Sequence, residues 1–181
     1  MNCIINFLRR AKENNLLIEI SIQERSGSLV GKIQNFSENY LLLESISHQG
    51  LNDGFIVVCL QEIYCIDLET NYSKKVYQLY NLKSQNHDTV PLIDDDYFIS
   101  LLQYSKSNNL ITEIDYFNDA ESYGDQGFIT DINNCLSMKL IDDFGKISGE
   151  KILKIENIKR LYCDGCHARD IKLLYEKDIK G

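Results

Sequence analysis

One short segment combines residue types that bind metal ions. Residues 163–167 read Cys-Asp-Gly-Cys-His, which places two thiols two residues apart and an imidazole directly after the second thiol. Two thiolates and an imidazole can supply three of the four ligands of a tetrahedral zinc ion. The fourth ligand would have to come from another cysteine or histidine, or from a second molecule. The candidate zinc ligands are Cys163, Cys166 and His167.

The same segment has three other interpretations. Cys-x-x-Cys-His is the attachment signature of c-type haem, but that chemistry follows export, and the N-terminal residues do not form a signal peptide. A redox dithiol normally lies at a helix N-terminus, and here we expect a strand to precede it. The simplest interpretation is a turn at Asp164 and Gly165 that carries two incidental thiols. We therefore expect no cofactor, with zinc as the alternative.

Acidic side chains concentrate in the second half of the chain. Residues 94–143 contain 11 acidic and 2 basic side chains, a net charge of −9, whereas residues 144–181 contain 9 basic and 6 acidic side chains. An acidic surface attracts a basic protein partner, and the alternative is a solvated surface that keeps the protein soluble. The residues expected to contact the partner are Asp94, Asp95, Asp115, Asp119, Glu121, Asp125, Asp142 and Asp143.

The sequence lacks the usual signatures of catalysis. It contains three histidines, and a nucleophile elbow, a phosphate-binding glycine loop and a His-x-x-x-His pair are all absent from it. We therefore expect a protein that is not an enzyme. The net charge of −8 makes nucleic acid an unfavourable partner.

Composition indicates a globular protein of the cytoplasm. Apolar residues make up 44% of the chain and charged residues 25%, the proportions of an ordinary folded domain. No apolar run approaches the roughly 20 residues that a membrane helix needs. We expect a cytoplasmic protein without membrane contact, whose six cysteines are reduced.

The sequence repeats itself at a nearly constant offset. Four pairs of matching segments occur in the same order: residues 14–17 with 108–111, 31–33 with 127–129, 50–54 with 145–149, and 74–80 with 169–175. Small insertions in turns account for the drift of the offset. We interpret the chain as an internal duplication, with repeat 1 over residues 1–80, a linker over 81–93 and repeat 2 over 94–181.

Each repeat is expected to contain one helix followed by five strands. Residues 4–14 and 94–107 have the spacing of apolar residues that is typical of helices. Five short stretches rich in branched and aromatic residues follow in each repeat, separated by glycine, serine and asparagine. Short consecutive strands with tight turns favour a strongly bent antiparallel sheet that closes into a small barrel. The predicted fold class is mainly β (α+β), with two tandem barrels.

This pattern resembles the Sm-like (LSm-type) fold, a small SH3-like barrel known from RNA-binding rings. The resemblance depends on the helix, the five strands and a glycine early in the second strand, here Gly31 and Gly127. The family contacts RNA through an Asp and an Asn after this glycine. The corresponding positions hold Ser37 and Leu41 in repeat 1, and Asn133 and Ser137 in repeat 2. The resemblance therefore implies the fold without the family's RNA site.

These observations lead to three hypotheses of function. The first is a non-catalytic protein that binds a basic protein partner, in its most concrete form an immunity protein that neutralises a nuclease toxin. The second is a divergent Sm-like RNA-binding protein. The third is a metal-binding protein that uses the Cys-x-x-Cys-His segment. The RNA contacts of the second hypothesis would be Lys151, Lys154, Lys159, Arg160, Arg169 and Lys172.

Overall fold

The computed structural model describes residues 3–23, 27–94, 96–118 and 121–180. The chain divides into two compact units, Met1–Thr89 and Val90–Gly181. Both units consist mainly of antiparallel β-strands, which confirms the predicted β-rich fold class. None of the described helices combines the length and the apolar character that crossing a membrane requires.

Unit 1 contains two helices and five strands. The sheet has the strand order β5-β1-β2-β3-β4, and its neighbouring strands are antiparallel. A 3-10 turn, Leu60–Glu62, joins the last two strands. The elements are α1 (Cys3–Glu13), β1 (Leu17–Ile22), β2 (Leu29–Phe36), β3 (Tyr40–Ile46), β4 (Asn52–Cys59), β5 (Ile63–Leu68) and α2 (Asn71–Leu82).

Unit 2 has the same elements in the same order. Its strand order is β10-β6-β7-β8-β9, again antiparallel, and a 3-10 turn, Ile155–Asn157, joins its last two strands. The elements are α3 (Tyr97–Ser107), β6 (Ile111–Asn118), β7 (Glu121–Ile132), β8 (Cys135–Ile141), β9 (Ile147–Lys154), β10 (Ile158–Cys163) and α4 (Cys166–Lys180).

The second helix of each unit is absent from the sequence-based expectation. Because Val76 and Tyr80 are four residues apart, both lie on one face of α2, where they pack against Leu17, Val30 and Ile46 of the sheet. In unit 2 the helix α4 covers an equivalent apolar cluster, formed by Ile111, Phe128, Ile141 and Ile171. Each sheet therefore carries an apolar layer under its second helix.

The starts of the helices agree with capping chemistry. The carboxylate of Asp96 accepts a hydrogen bond from the backbone N–H of Ile99 at 3.0 Å and so caps the start of α3. Thr70 caps α2 in the same way, since its hydroxyl accepts from the N–H of Ser73 at 3.0 Å. Two residues before the start of each second helix, the chain turns through positive φ, at Glu69 (54°) and at Asp164 (59°).

Two pairs of glycines are required by close backbone approaches that recur in both units. A Cβ atom on Gly31 would lie 2.5 Å from the carbonyl oxygen of Glu44, and one on Gly127 would overlap the carbonyl group of Lys139. Gly50 has φ of 70° and leaves no room for a Cβ atom against Leu79 and Tyr80. Gly145, with φ of 77°, meets Leu174 and Tyr175 in the same manner.

The predicted linker, residues 81–93, is partly structured. Its first two residues, Asn81 and Leu82, complete α2. Further along the chain, Gln85, Asn86 and His87 form hydrogen bonds to residues of β3 and β4 within unit 1. Some of the polar side chains in the predicted linker therefore make specific contacts.

Candidate protein-binding surface

Some of the acidic residues of the expected binding surface form ion pairs with basic residues of unit 2. Asp115, on β6, lies 3.4 Å from the guanidinium of Arg160, its partner on the neighbouring strand β10. Asp125, on β7, forms an ion pair with the ammonium of Lys151. These two carboxylates are neutralised within unit 2, so they contribute little to attraction of a partner.

Lys151 is the centre of a polar cluster inside unit 2. Its ammonium also donates a hydrogen bond of 2.7 Å to the Tyr116 hydroxyl and lies 4.8 Å from the centre of the Tyr116 ring. Burial alone lowers the pKa of Lys151, but its hydrogen bonds to Asp125 and Tyr116 outweigh that effect and raise the pKa above its usual value. The cluster therefore stabilises the protonated lysine.

Two of the predicted acidic residues lie on the β8–β9 turn. Asp142 shapes this turn, since its carboxylate accepts hydrogen bonds from the N–H groups of Phe144 and Lys146. Asp143 is exposed, accepts a hydrogen bond of 2.8 Å from the Gln126 amide, and lies 3.7 Å from the imidazole of His167. Asp143 is thus placed where a partner can reach it.

Four predicted acidic residues remain: Asp94, Asp95, Asp119 and Glu121. Asp94 is exposed and has φ of 48°, before the start of α3. Asp95 and Asp119 lie outside the described residues. Glu121 is described through its backbone, which pairs with Asn118 in the β6–β7 hairpin.

The candidate zinc ligands do not point to a common centre. Cys163 is fully buried at the end of β10, where its thiol contacts the hydroxyls of Ser105 and Thr112. Cys166 is the first residue of α4 and accepts a hydrogen bond from Arg169, while His167 is 70% exposed beside Asp143. Among the described residues, no group of three histidine, cysteine or acidic side chains is arranged to hold a metal ion.

Cys163 is expected to be the least reactive thiol of the chain. Burial raises its pKa to about 12, against a smaller lowering by hydrogen bonds with Ser105 and Thr112. The thiolate is the reactive form, and a pKa of about 12 leaves roughly one thiol in 10⁴ ionised at pH 8. Peptide mapping after iodoacetamide treatment at pH 8 should find Cys163 unlabelled in the folded protein and labelled after unfolding. Rapid labelling of folded protein at Cys163 would contradict this prediction.

The basic residues of the RNA-binding alternative are largely committed to contacts within unit 2. Lys159 and Arg160 are both 3% exposed. Lys151 is paired with Asp125, and Arg169 lies 3.2 Å from the Asp164 carboxylate. A continuous basic surface for phosphate groups would need these side chains to be accessible.

The strand pairing defines which positions of the two units are structurally equivalent. Ile46 pairs with Asn52 in unit 1 as Ile141 pairs with Ile147 in unit 2. The contact of Gly50 with α2 equals the contact of Gly145 with α4. The two β-turns and second helices can therefore be compared residue by residue at an offset of 95.

In unit 1, a segment of the chain contacts the end of β3 and the start of β4, next to α2. Residues 85–87, the return segment, run back over the sheet after α2. The backbone N–H of Asn52 donates to the side-chain oxygen of Gln85 at 3.1 Å, and its side-chain amide donates to the carbonyl of Asn86 at 2.6 Å. The end of β3 and the start of β4 in unit 1 therefore bind a segment of their own chain that is neither helix nor strand.

His87 completes the contact of the return segment. Its Nε2 donates to the carbonyl oxygen of Ser45 at 2.8 Å, and its Nδ1 lies 2.9 Å from the Tyr80 hydroxyl. The imidazole stacks on Tyr80 and meets the edge of Phe55, with ring centres 5.8 and 5.5 Å apart. A single side chain thus fills a niche made by α2 and two strands.

In unit 2, the equivalent position is apolar and exposed. Phe144 is 75% exposed, Leu174 44% and Ile147 40%. Gly145, next to Phe144, packs closely against α4, since a Cβ atom on Gly145 would lie 2.8 Å from the Cβ atom of Leu174. At the same point α4 continues as a helix to Lys180, whereas α2 ends at Leu82. We call Phe144, Ile147 and Leu174 the apolar surface of unit 2.

The apolar surface was not expected from the sequence, although the repeat contains a signal for it. At the offset of 95, Phe144 corresponds to Gln49 and Ile147 to Asn52. An exposed position that is polar in one copy and apolar in the other indicates a different role for the two copies. Without the structure, the same two residues read as ordinary members of a strand and its turn.

Comparison of the chain with protein-family models, with curated proteins and with solved structures finds no match.

Proposed function

We propose that the protein is a non-catalytic binding protein that engages a protein partner through the apolar surface of unit 2. The observation that carries this proposal is the exposure of Phe144, Ile147 and Leu174, of which Ile147 takes the place where Asn52 of unit 1 binds its own return segment. Adjacent exposed apolar side chains rimmed by polar groups are typical of protein interaction sites. Asp143 lies at the rim.

The charge of the rim favours a basic partner. Asp143 and Glu150 are exposed on the β8–β9 hairpin that carries Phe144 and Ile147. A basic protein would be attracted to them while its apolar residues cover the centre, so charge and burial act together. A nuclease toxin is a partner of this kind, and an immunity protein is our most concrete form of the proposal. The cytoplasm remains the compartment we propose.

We also propose that each unit is an Sm-like barrel. Lys151 on β9 reaches Tyr116 on β6, three strands away in the sheet order. A flat sheet would separate these backbones by about 14 Å, from a strand spacing of about 4.8 Å. The contact therefore supports a sheet that curves around its interior, as a small barrel requires.

The proposal predicts that unit 1 residues transplanted into the apolar surface abolish partner binding. Phe144→Gln with Ile147→Asn introduces the residues found at the equivalent positions of unit 1. Both side chains are solvent-exposed, so the variant should fold normally while its affinity for the partner falls at least about tenfold. The partner is first captured from the native host and identified by mass spectrometry, and its affinity for each variant is then measured by calorimetry with purified proteins.

A matched control removes an exposed apolar side chain elsewhere. Leu82, at the end of α2, is 81% exposed, and Leu82→Gln should leave the affinity unchanged. For a toxin partner, co-expression should show that the wild-type chain and Leu82→Gln protect cells, whereas the double variant does not. Equal affinity of the double variant and the wild type would contradict the proposed function.

A further inference from the structure

We infer that the apolar surface of unit 2 binds its partner as an extended peptide, with an arginine of the partner in the place that His87 takes in unit 1. This inference depends on the proposed function, because it names the form of the partner at the same surface. It follows from the way in which unit 1 binds its own return segment.

The first step concerns the backbone. The return segment contacts unit 1 at Asn52, the first residue of β4, and at the carbonyl of Ser45 on β3. The equivalent positions in unit 2 are Ile147, the first residue of β9, and Leu140 on β8. β9 is the last strand in the order of the sheet of unit 2, and six of its eight residues are exposed. A peptide could therefore use the two equivalent backbone groups in unit 2, the N–H of Ile147 and the carbonyl of Leu140, while Ile147 offers an apolar side chain in place of the Asn52 amide.

The second step concerns the niche that His87 fills. Tyr80 and Phe55 form its walls in unit 1. At the offset of 95, Tyr175 takes the position of Tyr80 and Glu150 that of Phe55. Tyr175 packs against Phe128, with ring centres 5.0 Å apart, so one aromatic wall is kept. The other wall has become an exposed carboxylate.

The third step is the choice of side chain. A guanidinium can stack on an aromatic ring and at the same time bind a carboxylate through two parallel hydrogen bonds. Lys139 is the cross-strand partner of Glu150 on β8, and its ammonium is the nearest basic group in the strand register. An arginine of the partner would compete with Lys139 for the Glu150 carboxylate better than a lysine would, because a guanidinium can form two parallel hydrogen bonds with a carboxylate. The niche of unit 2 therefore fits arginine, whereas the niche of unit 1 fits histidine.

The neighbouring side chains set the rest of the specificity. Phe144 and Ile147 lie on either side of the point where the peptide would cross the turn, and Asp143 lies next to them. An apolar residue beside the arginine would cover exposed surface of both side chains. The inferred ligand is thus a short, extended, basic and apolar segment of a protein.

Two synthetic peptides test this inference on the full chain. The first has the sequence of residues 83–90, Lys-Ser-Gln-Asn-His-Asp-Thr-Val, and the second has arginine in place of its histidine. Unit 1 is already occupied by the tethered copy, whose effective concentration is high. Titration of ¹⁵N-labelled protein should therefore shift amide signals of residues 140–150, with the arginine peptide binding about tenfold more tightly, as expected for one charge-assisted hydrogen-bond pair.

Variants of Glu150 make the test sharper. Glu150→Gln should remove the preference for the arginine peptide, and Glu150→Phe, which restores the residue of unit 1, should reverse it in favour of histidine. If millimolar peptide shifts no amide in residues 140–150, or if Glu150→Gln leaves the preference unchanged, the inference is wrong. The proposed function would survive that result provided that Phe144→Gln with Ile147→Asn still loses its partner.

Discussion

Replacement of Gly127 by alanine should unfold unit 2. A Cβ atom at this position would overlap the carbonyl group of Lys139, with its carbon 2.9 Å away and the Cα atom of Leu140 3.1 Å away. Both neighbours are backbone atoms of the paired strand β8, so the clash can be relieved by breaking the β7–β8 pairing. We expect a loss of at least about 3 kcal/mol in the free energy of unfolding. Urea denaturation followed by circular dichroism measures this loss.

A glycine three residues earlier on the same strand provides the control. A Cβ atom on Gly124 would lie 3.3 Å from a side-chain oxygen of Asp115, which can move aside. Gly124→Ala should therefore change stability by less than about 1 kcal/mol. Gly31→Ala should destabilise unit 1 as Gly127→Ala destabilises unit 2. Equal effects of the substitutions at 124 and 127 would refute the assignment of the close approach.

Removal of the Lys151 ammonium should cost more stability than replacement of its whole cluster. Lys151→Met leaves the Asp125 carboxylate, 23% exposed, without its ion-pair partner. We expect this variant to lose about 2 kcal/mol, because a partly buried charge without a partner is unfavourable. Replacement of Tyr116, Asp125 and Lys151 by Ile, Leu and Ile, the residues of unit 1, should restore most of that loss. Thermal and urea denaturation of the two variants measure the difference.

The contribution of Lys151 should depend on pH in a defined direction. Its pKa is raised in the folded protein above the usual 10.5, so the folded state favours the protonated amine. The stabilisation is fully present below the pKa of an unfolded lysine and is lost as the pH rises through the raised value. The difference in stability between wild type and Lys151→Met should therefore be constant near neutral pH and shrink above pH 10.5. A constant difference across that range would exclude the ion pair as its cause.

The strands could be predicted from sequence more completely than the second helices. Alternating branched residues and turn glycines mark the ten strands, since each signal is local. The helix α2 has a four-residue spacing at Val76 and Tyr80. Because it begins only two residues after β5, its sequence alone indicates the end of a repeat and not a separate helix. Its position depends on the exposed apolar face of a sheet, and a propensity pattern does not contain that information.

The proposed binding surface was less predictable than the fold. Net charge drew attention to Asp142 and Asp143, but it could not distinguish them from Asp115 and Asp125, which are paired with basic residues distant in sequence. The Cys-x-x-Cys-His segment shows that closeness in sequence does not imply a common site. Cys163 is buried in the core, whereas His167 is exposed to solvent. Charge and motif patterns identify residues, while pairing and burial decide which of them are available.

The polar cluster of unit 2 also bears on how the chain avoids misassembly. Adjacent copies of one fold can exchange strands during folding, which is a common failure of repeat proteins. The positions of Tyr116, Asp125 and Lys151 are occupied in unit 1 by Ile22, Leu29 and Ile56, all buried. A hybrid sheet would set the lysine ammonium against these aliphatic side chains, away from its carboxylate. Exchange of these strands between the units is therefore expected to be unfavourable, so that each unit can fold as a separate kinetic unit.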